Sequence, residues 1–242
     1  MKPSPSRKPA VRLRRMHDWL AKAYGQQYWW PAKTAFEVVV GAYLTQNTAW
    51  AAVERSLANL RAAGVLSIDG LRVLDLDKLQ ELIRPSGFYS RKAPALKAFV
   101  AMLDDEFAGS LDVLAATETR ILRERLLALP GVGGETADAI LLYALGHPVP
   151  VADEYMRRIA ERHRLLTPAP GRNRKGYESL VQLTREAFAK DLIADQSRLF
   201  NEFHALTVAV GKRHCSVIAD CEECPLAADL PTRKPIRTER NI

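Results

Sequence analysis

The sequence predicts an all-α chain built in two helical parts, and three observations carry that prediction. Apolar residues recur at helical spacing along most of the 242 positions. Alternating apolar and polar runs, the mark of half-buried strands, are scarce. Glycine and proline punctuate the periodic runs, at Gly64, Pro85-Ser86-Gly87, Gly109 and Pro130-Gly131. About ten helices of ordinary length follow from this pattern, with no internal repeat and no long low-complexity segment.

The elements follow in chain order. The opening "MKPSPSRKPAVRLRR" is basic and lacks the apolar middle of a signal peptide, and it reads as a flexible arm, as does the tail "PTRKPIRTERNI". Phe36, Val39, Val40, Tyr43 and Leu44 share one helix face. Leu96, Phe99, Val100, Leu103 and Phe107 share another, and Ile121, Leu122, Leu126 and Leu129 a third. "LPGVGG" then joins two helical stretches, "TETRILRERLLA" and "ETADAILLYAL". Pro130 ends the first, and the glycines permit a sharp turn with left-handed dihedrals. Backbone N–H groups at the mouth of the second helix would point outward with the positive end of its dipole behind them, an arrangement that holds phosphate without side-chain charge. A plain glycine-capped hairpin is the simpler alternative. A Walker loop is excluded, because no Gly-Lys-Ser/Thr follows. In "GHPVPVADEY", Pro148 and Pro150 forbid continuous helix and mark a seam, after which "DEYMRRIAERHRLL" resumes as helix with Asp153 at its mouth.

Composition narrows the function classes. Hydrophobic residues make up 48% of the chain and charged residues 26%, an ordinary globular balance. The net charge of +7 favours a polyanionic partner without identifying one. No apolar run approaches the ~20 residues that cross a bilayer. All three cysteines lie between Cys215 and Cys224, so they form no disulfide framework. The expected location is cytoplasmic, at the nucleoid if the chain is prokaryotic.

"LPGVGGETADAILLYALGHPVPVADEY" resembles the helix-hairpin-helix, Gly/Pro-rich loop and aspartate of the endonuclease III superfamily of DNA glycosylases, and the resemblance runs from about Phe36 to Cys224. It implies a two-domain, all-α helix-hairpin-helix glycosylase fold with a cleft between the domains. Residues 33–147 would form a helical barrel domain containing the hairpin. Residues 1–32 and 148–242 would form a second helical domain carrying the cysteines. The turn Gly131, Val132, Gly133 and Gly134 would grip the backbone of one DNA strand, and Asp153 would be the catalytic carboxylate. Members that also cut the strand carry a lysine at position 135, which forms a Schiff base with the sugar. Glu135 cannot form an imine, so the resemblance implies base release without lyase activity. The plain role of Glu135 is an acid favoured by the helix dipole in a first turn.

A second stretch, "YWWPAKTAFEVVVGAYLTQNTAW", together with "SGFYSRKA", resembles one branch of that superfamily, the 3-methyladenine DNA glycosylase III type. By this resemblance Trp50 faces the Trp29, Trp30 and Pro31 segment across an extruded base, and Glu135 belongs to the same pocket. Any one of these tryptophans could equally be a core residue. A methylated purine is cationic, which suits an electron-rich ring face, and stacking contributes ~1–3 kcal/mol per base. Such a base already leaves readily, so an ionised Asp153 need only stabilise the oxocarbenium-like sugar or orient a water. An N-cap role for Asp153 is compatible with that task. Gln46 matches the residue that fills the gap left by the base, and Phe88 matches the wedge pressed between bases opposite it. Their plain readings are a polar cap and a core ring.

The cysteines are spaced by five and two residues, whereas the superfamily pattern around a [4Fe–4S] cluster is C-x6-C-x2-C-x5-C. The first gap is one short, and Leu230 stands where the fourth cysteine belongs. Cys215, Cys221 and Cys224 are therefore candidate metal ligands for a cluster with an outside ligand, for zinc completed by His214 or another histidine, or for nothing in a decayed site. The iron–sulfur reading, with a structural role, is preferred. The leading expectation is a monomeric glycosylase acting on double-stranded DNA that contains damaged bases, removing N-methylated purines such as 3-methyladenine. The rivals are an oxidised-pyrimidine glycosylase with lyase activity, of endonuclease III type, and a DNA-structure binding module without catalysis.

Overall fold

The structure is a computed structural model that describes residues 8–30 and 32–231. Pro31 and the tail beyond Pro231 lie outside the described residues, as does the start of the N-terminal arm. The described residues form α-helices with short 3₁₀ and π turns, and their β-pairing is an isolated antiparallel bridge between Cys215 and Ala219. None of the described helices is long and apolar enough to cross a membrane.

The chain divides into two compact units, Met1–Trp29 with Pro148–Ile242, and Trp30–His147. The first unit begins with α1 (Pro9–Tyr24). Proline at the first helical position costs no hydrogen bond and presets φ, so the chain enters helix in the middle of the basic stretch. Residues 9–15, part of the stretch expected to be a flexible arm, are therefore helical, and Leu13 among them is buried.

The second unit carries α2 (Ala35–Leu44), α3 (Trp50–Ala62), α4 (Ile68–Val73), α5 (Leu76–Ile83), α6 (Tyr89–Phe107), α7 (Leu111–Ala115), α8 (Thr119–Ala128) and α9 (Gly134–Ala139). Side-chain oxygens start many of them. Thr34, Ser67, Asp75 and Ser110 each accept a hydrogen bond from an amide in the first turn of the helix that follows. A 3₁₀ turn, Arg84–Ser86, precedes α6, and α9 runs into a π-helical turn, Ile140–Ala144. α2 packs against α3, α6 and the π turn. It is buried from Phe36 to Leu44, all round, so the single apolar face read from its periodicity understates it. On α8 the difference runs the other way. Leu122 and Leu126 are buried, but Ile121 is 44% exposed and no part of the core.

The first unit continues with α10 (Glu154–Arg162), α11 (Arg174–Ala187) and α12 (Ile193–Arg213). α1 packs against α11 and α12, and α10 against α12. Ile159, Leu180, Phe188, Phe203 and Leu206 fill the core of this unit.

Candidate functional site

The hairpin is built from α8, the turn after it, and α9. Of its glycines, Gly131 alone uses the left-handed region, with φ +73°, whereas Gly133 is extended and Gly134 is already helical. The turn therefore needs one glycine for its dihedrals, not three. The Val132 amide, before the mouth of the second helix, donates to the Leu129 carbonyl at 3.3 Å and closes the turn. Around Gly133 there is open space where a side chain would stand, which lets a large group approach the backbone. The two helices are tied by an ion pair in which Arg123 Nε and Nη2 donate to the two carboxylate oxygens of fully buried Asp138, at 2.6 and 3.0 Å. Glu135 occupies the first turn of α9 and is exposed.

Gln46 reaches the hairpin. Its side-chain amide donates to the Gly131 carbonyl at 3.0 Å and to Thr136 Oγ1 at 2.9 Å. Phe88 caps the start of α6 in a left-handed conformation, with φ +47°, and is 60% exposed. An aromatic ring held outward at such a position is strained and solvated, which excludes its reading as a core ring.

The tryptophans part company. Trp30 lies 5.4 Å from Trp50, edge to face, and 5.2 Å from Tyr143, centroid to centroid. Its indole also presses on Gly41 of α2, where a Cβ would come within 3.2 Å of the ring. Trp29 belongs to the other unit and has the Lys212 ammonium 5.8 Å from its ring centre. Trp30 and Trp50 thus touch instead of standing parallel a base's thickness apart. Pro31, assigned to the same pocket, lies outside the described residues.

Asp153 is the N-cap of α10, accepting from the Met156 amide at 2.8 Å, so its expected capping role is present. Its other oxygen lies 3.8 Å from Nε2 of buried His204 on α12. Three residues here escaped the sequence reading. Tyr143 was legible as the aromatic in the hairpin's second helix, and Gly41 as a lone glycine in an apolar helix. His204 lies 51 positions from Asp153 and left no local signal.

The cysteine loop was tested as a metal site. Buried Cys215 Sγ accepts from Arg162 Nη1 at 2.9 Å. Arg162 also donates to the Ser216 and Val217 carbonyls at 2.7 and 3.0 Å, and Arg158 to the Cys215 carbonyl at 2.8 Å. Burial pushes the Cys224 thiol up to about 11 and raises that of Cys221. No group of three or more His, Cys, Asp or Glu side chains among the described residues is arranged to hold a metal ion. Three cysteines are present, with Leu230 at the fourth position of the superfamily pattern and the Arg162 guanidinium on the first thiol.

Comparison with known proteins gives a consistent family. A model of the HhH-GPD superfamily base excision DNA repair proteins matches residues 40–183. A Methanocaldococcus jannaschii protein named as a DNA repair glycosylase is 41% identical over 84% of this chain and 88% of its own length. Endonuclease III of Bacillus subtilis is 27% identical over 79% of this chain and 78% of its own. Among solved structures, the H. pylori 3-methyladenine DNA glycosylase bound to 1,N6-ethenoadenine is 28% identical and superposes with a TM-score of 0.68, covering 85% of this chain and 98% of the other.

Proposed function

The chain belongs to the HhH-GPD superfamily of base excision DNA repair proteins, DNA glycosylases that act on damaged bases, and we propose that it detaches the base without cutting the strand. One observation carries this reading. The first turn after the hairpin presents Glu135, and a carboxylate cannot form the imine through which an amine cleaves the backbone. Asp153 is the carboxylate we assign to the bond-breaking step, stabilising positive charge on the sugar as the base departs. The net charge of +7 and the open approach to Gly133 support a DNA backbone as the partner.

The same reading assigns the substrate to alkylated purines. The group of Trp30, Trp50 and Tyr143 supports it, because electron-rich faces attract a cationic base once water is excluded. The base would stack on an outer face of this group, or between Trp30 and Trp50 after they part. The likeness to the H. pylori enzyme adds support. A second reading is an endonuclease III-type glycosylase for oxidised pyrimidines. Relatives bearing that name favour it, among them the B. subtilis protein, and by their number they weigh more than the alkylpurine likeness.

The experiment offers the purified chain two DNAs, one methylated and one carrying oxidised pyrimidines, and identifies released bases by chromatography with borohydride present. Methylated purine release, no trapped adduct, and a loss of about 100-fold or more in Asp153→Asn are expected. Release of oxidised pyrimidines alone would transfer the substrate to the second reading. A borohydride-trapped covalent adduct would refute the reading of Glu135.

A further inference from the structure

Lys92 is the buried lysine of α6, and what its ammonium holds bears on how DNA is probed. Its residue is 4% exposed. The ammonium donates to the Leu44 carbonyl at the end of α2, to Thr48 Oγ1 and to the Ser86 carbonyl, at 2.7, 2.7 and 2.9 Å. Three acceptors match the three hydrogens of an ammonium. They come from two separate segments: the end of α2 with the loop 45–48 that continues it, and the turn 84–88. Thr48 closes the circle, since its hydroxyl accepts from Lys92 and lies 2.7 Å from the same Ser86 carbonyl and 2.9 Å from that of Gln46.

These two segments carry Gln46 and Phe88. Each is bent through a left-handed non-glycine residue, Asn47 at φ +50° and Phe88 at φ +47°. Such conformations persist only where the surroundings enforce them. Burying an ammonium among uncharged oxygens is itself unfavourable, and burial pulls the Lys92 amine down to about 8. An apolar side chain would pack there at lower cost, yet would take a donor away from each of the three acceptors.

We propose that Lys92 is a positioning residue that pins the Gln46 loop and the Phe88 turn to each other, so that the side chains probing either side of an extruded base act as one rigid pair. The inference rests on the reading that Gln46 and Phe88 meet DNA. Arginine cannot replace the lysine, because its planar fork does not point donors at three oxygens grouped around one atom.

The test uses the full chain with Lys92→Met, Lys92→Arg and the milder Thr48→Val, the last in case the first two fold poorly. Single-turnover release is measured on duplexes bearing one 3-methyladenine, either paired with thymine or opposite an abasic site. Extrusion costs less in the second duplex, because no pairing partner holds the base. A pinning role predicts a fall of about tenfold or more on the paired duplex for both lysine variants, about threefold for Thr48→Val, and a shortfall within about twofold opposite the abasic site. Equal losses on both duplexes would mean that Lys92 merely supports the fold, and would overturn the proposal. Hydrogen–deuterium exchange gives a readout that needs no activity. Segments 45–48 and 84–88 should lose protection together in Lys92→Met or Thr48→Val while α10–α12 are unchanged, and unaltered protection in both segments overturns the proposal. If the unmodified chain releases no base at all, the proposed function falls, and the exchange result still decides whether Lys92 pins the two segments.

Discussion

The hairpin turn and the cysteine loop are both stretches that composition brings to notice, and they are held in opposite ways. The hairpin turn is shaped mainly from within, by one left-handed glycine and the Val132 amide, with Gln46 reaching its Gly131 carbonyl from outside, and it leaves the backbone near Gly133 approachable. A charged brace, Arg123 on Asp138, lies between the two helices. The cysteine loop is held from outside. Arg158 and Arg162 of α10 grip its start, and Asp229 just past it is gripped by Arg12, Arg15 and His163. The hairpin turn leaves open space at Gly133 where another molecule can approach, whereas the cysteine loop has several of its carbonyls and its first thiol taken up by arginine side chains.

The largest effect expected from breaking this comparison is at the brace behind the hairpin. Asp138→Ala leaves the Arg123 guanidinium without its buried partner, and unfolding in urea should show a loss of about 3–5 kcal/mol. The turn itself has no comparable single weak point. A loss under about 1 kcal/mol would mean that Arg123 escapes to solvent and that the two helices are held by apolar packing alone.

How much of this could be read in the sequence depends on how local its cause is. The hairpin, the seam at Pro148 and Pro150, and Asp153 at the mouth of α10 are each set by residues within a few positions, and their physics is visible in a string of letters. Helix α1 was misread because a basic run with two early prolines looks like an arm, although Pro9 is also a good first residue for a helix. The aromatic group needed contacts over about a hundred positions. Nothing in "SGFYSRKA" says that Lys92 points inward, since a lysine on a helix is ordinarily a solvated charge. The cysteine spacing resembles a metal motif, but the sequence does not reveal that α10, some fifty residues earlier, supplies the arginine that donates to the first thiol.

A smaller effect sharpens the other half of the comparison. Arg162→Met removes donors from the Cys215 thiol and from two carbonyls, and the loss in stability should be about 2–3 kcal/mol. Prolonged treatment of the unmodified protein with a strong chelator should shift Tm by less than about 2 °C, well under the shift caused by the arginine change. The reverse ranking, with the chelator the more damaging, would show that a metal and not Arg162 closes the loop.

The smallest expected effect concerns the far end of the loop and is read as pH dependence. Burial alone would raise the Asp229 carboxyl, but hydrogen bonds from His163 and Arg12 outweigh it and hold the group at about 2, below its ordinary value near 4. The folded state therefore binds the proton less readily than the unfolded chain does. The stabilisation is complete above about pH 4 and is lost as the pH falls towards 2, and a difference of this size corresponds to roughly 2 kcal/mol. Asp229→Asn removes the charge at every pH, so its curve of stability against pH should be flatter than that of the unmodified protein between 4 and 2, while lying below it at pH 7. Two parallel curves over that interval would mean that the carboxylate titrates as it does in water, and that the arginines of α1 secure the end of the loop through their backbone contacts alone.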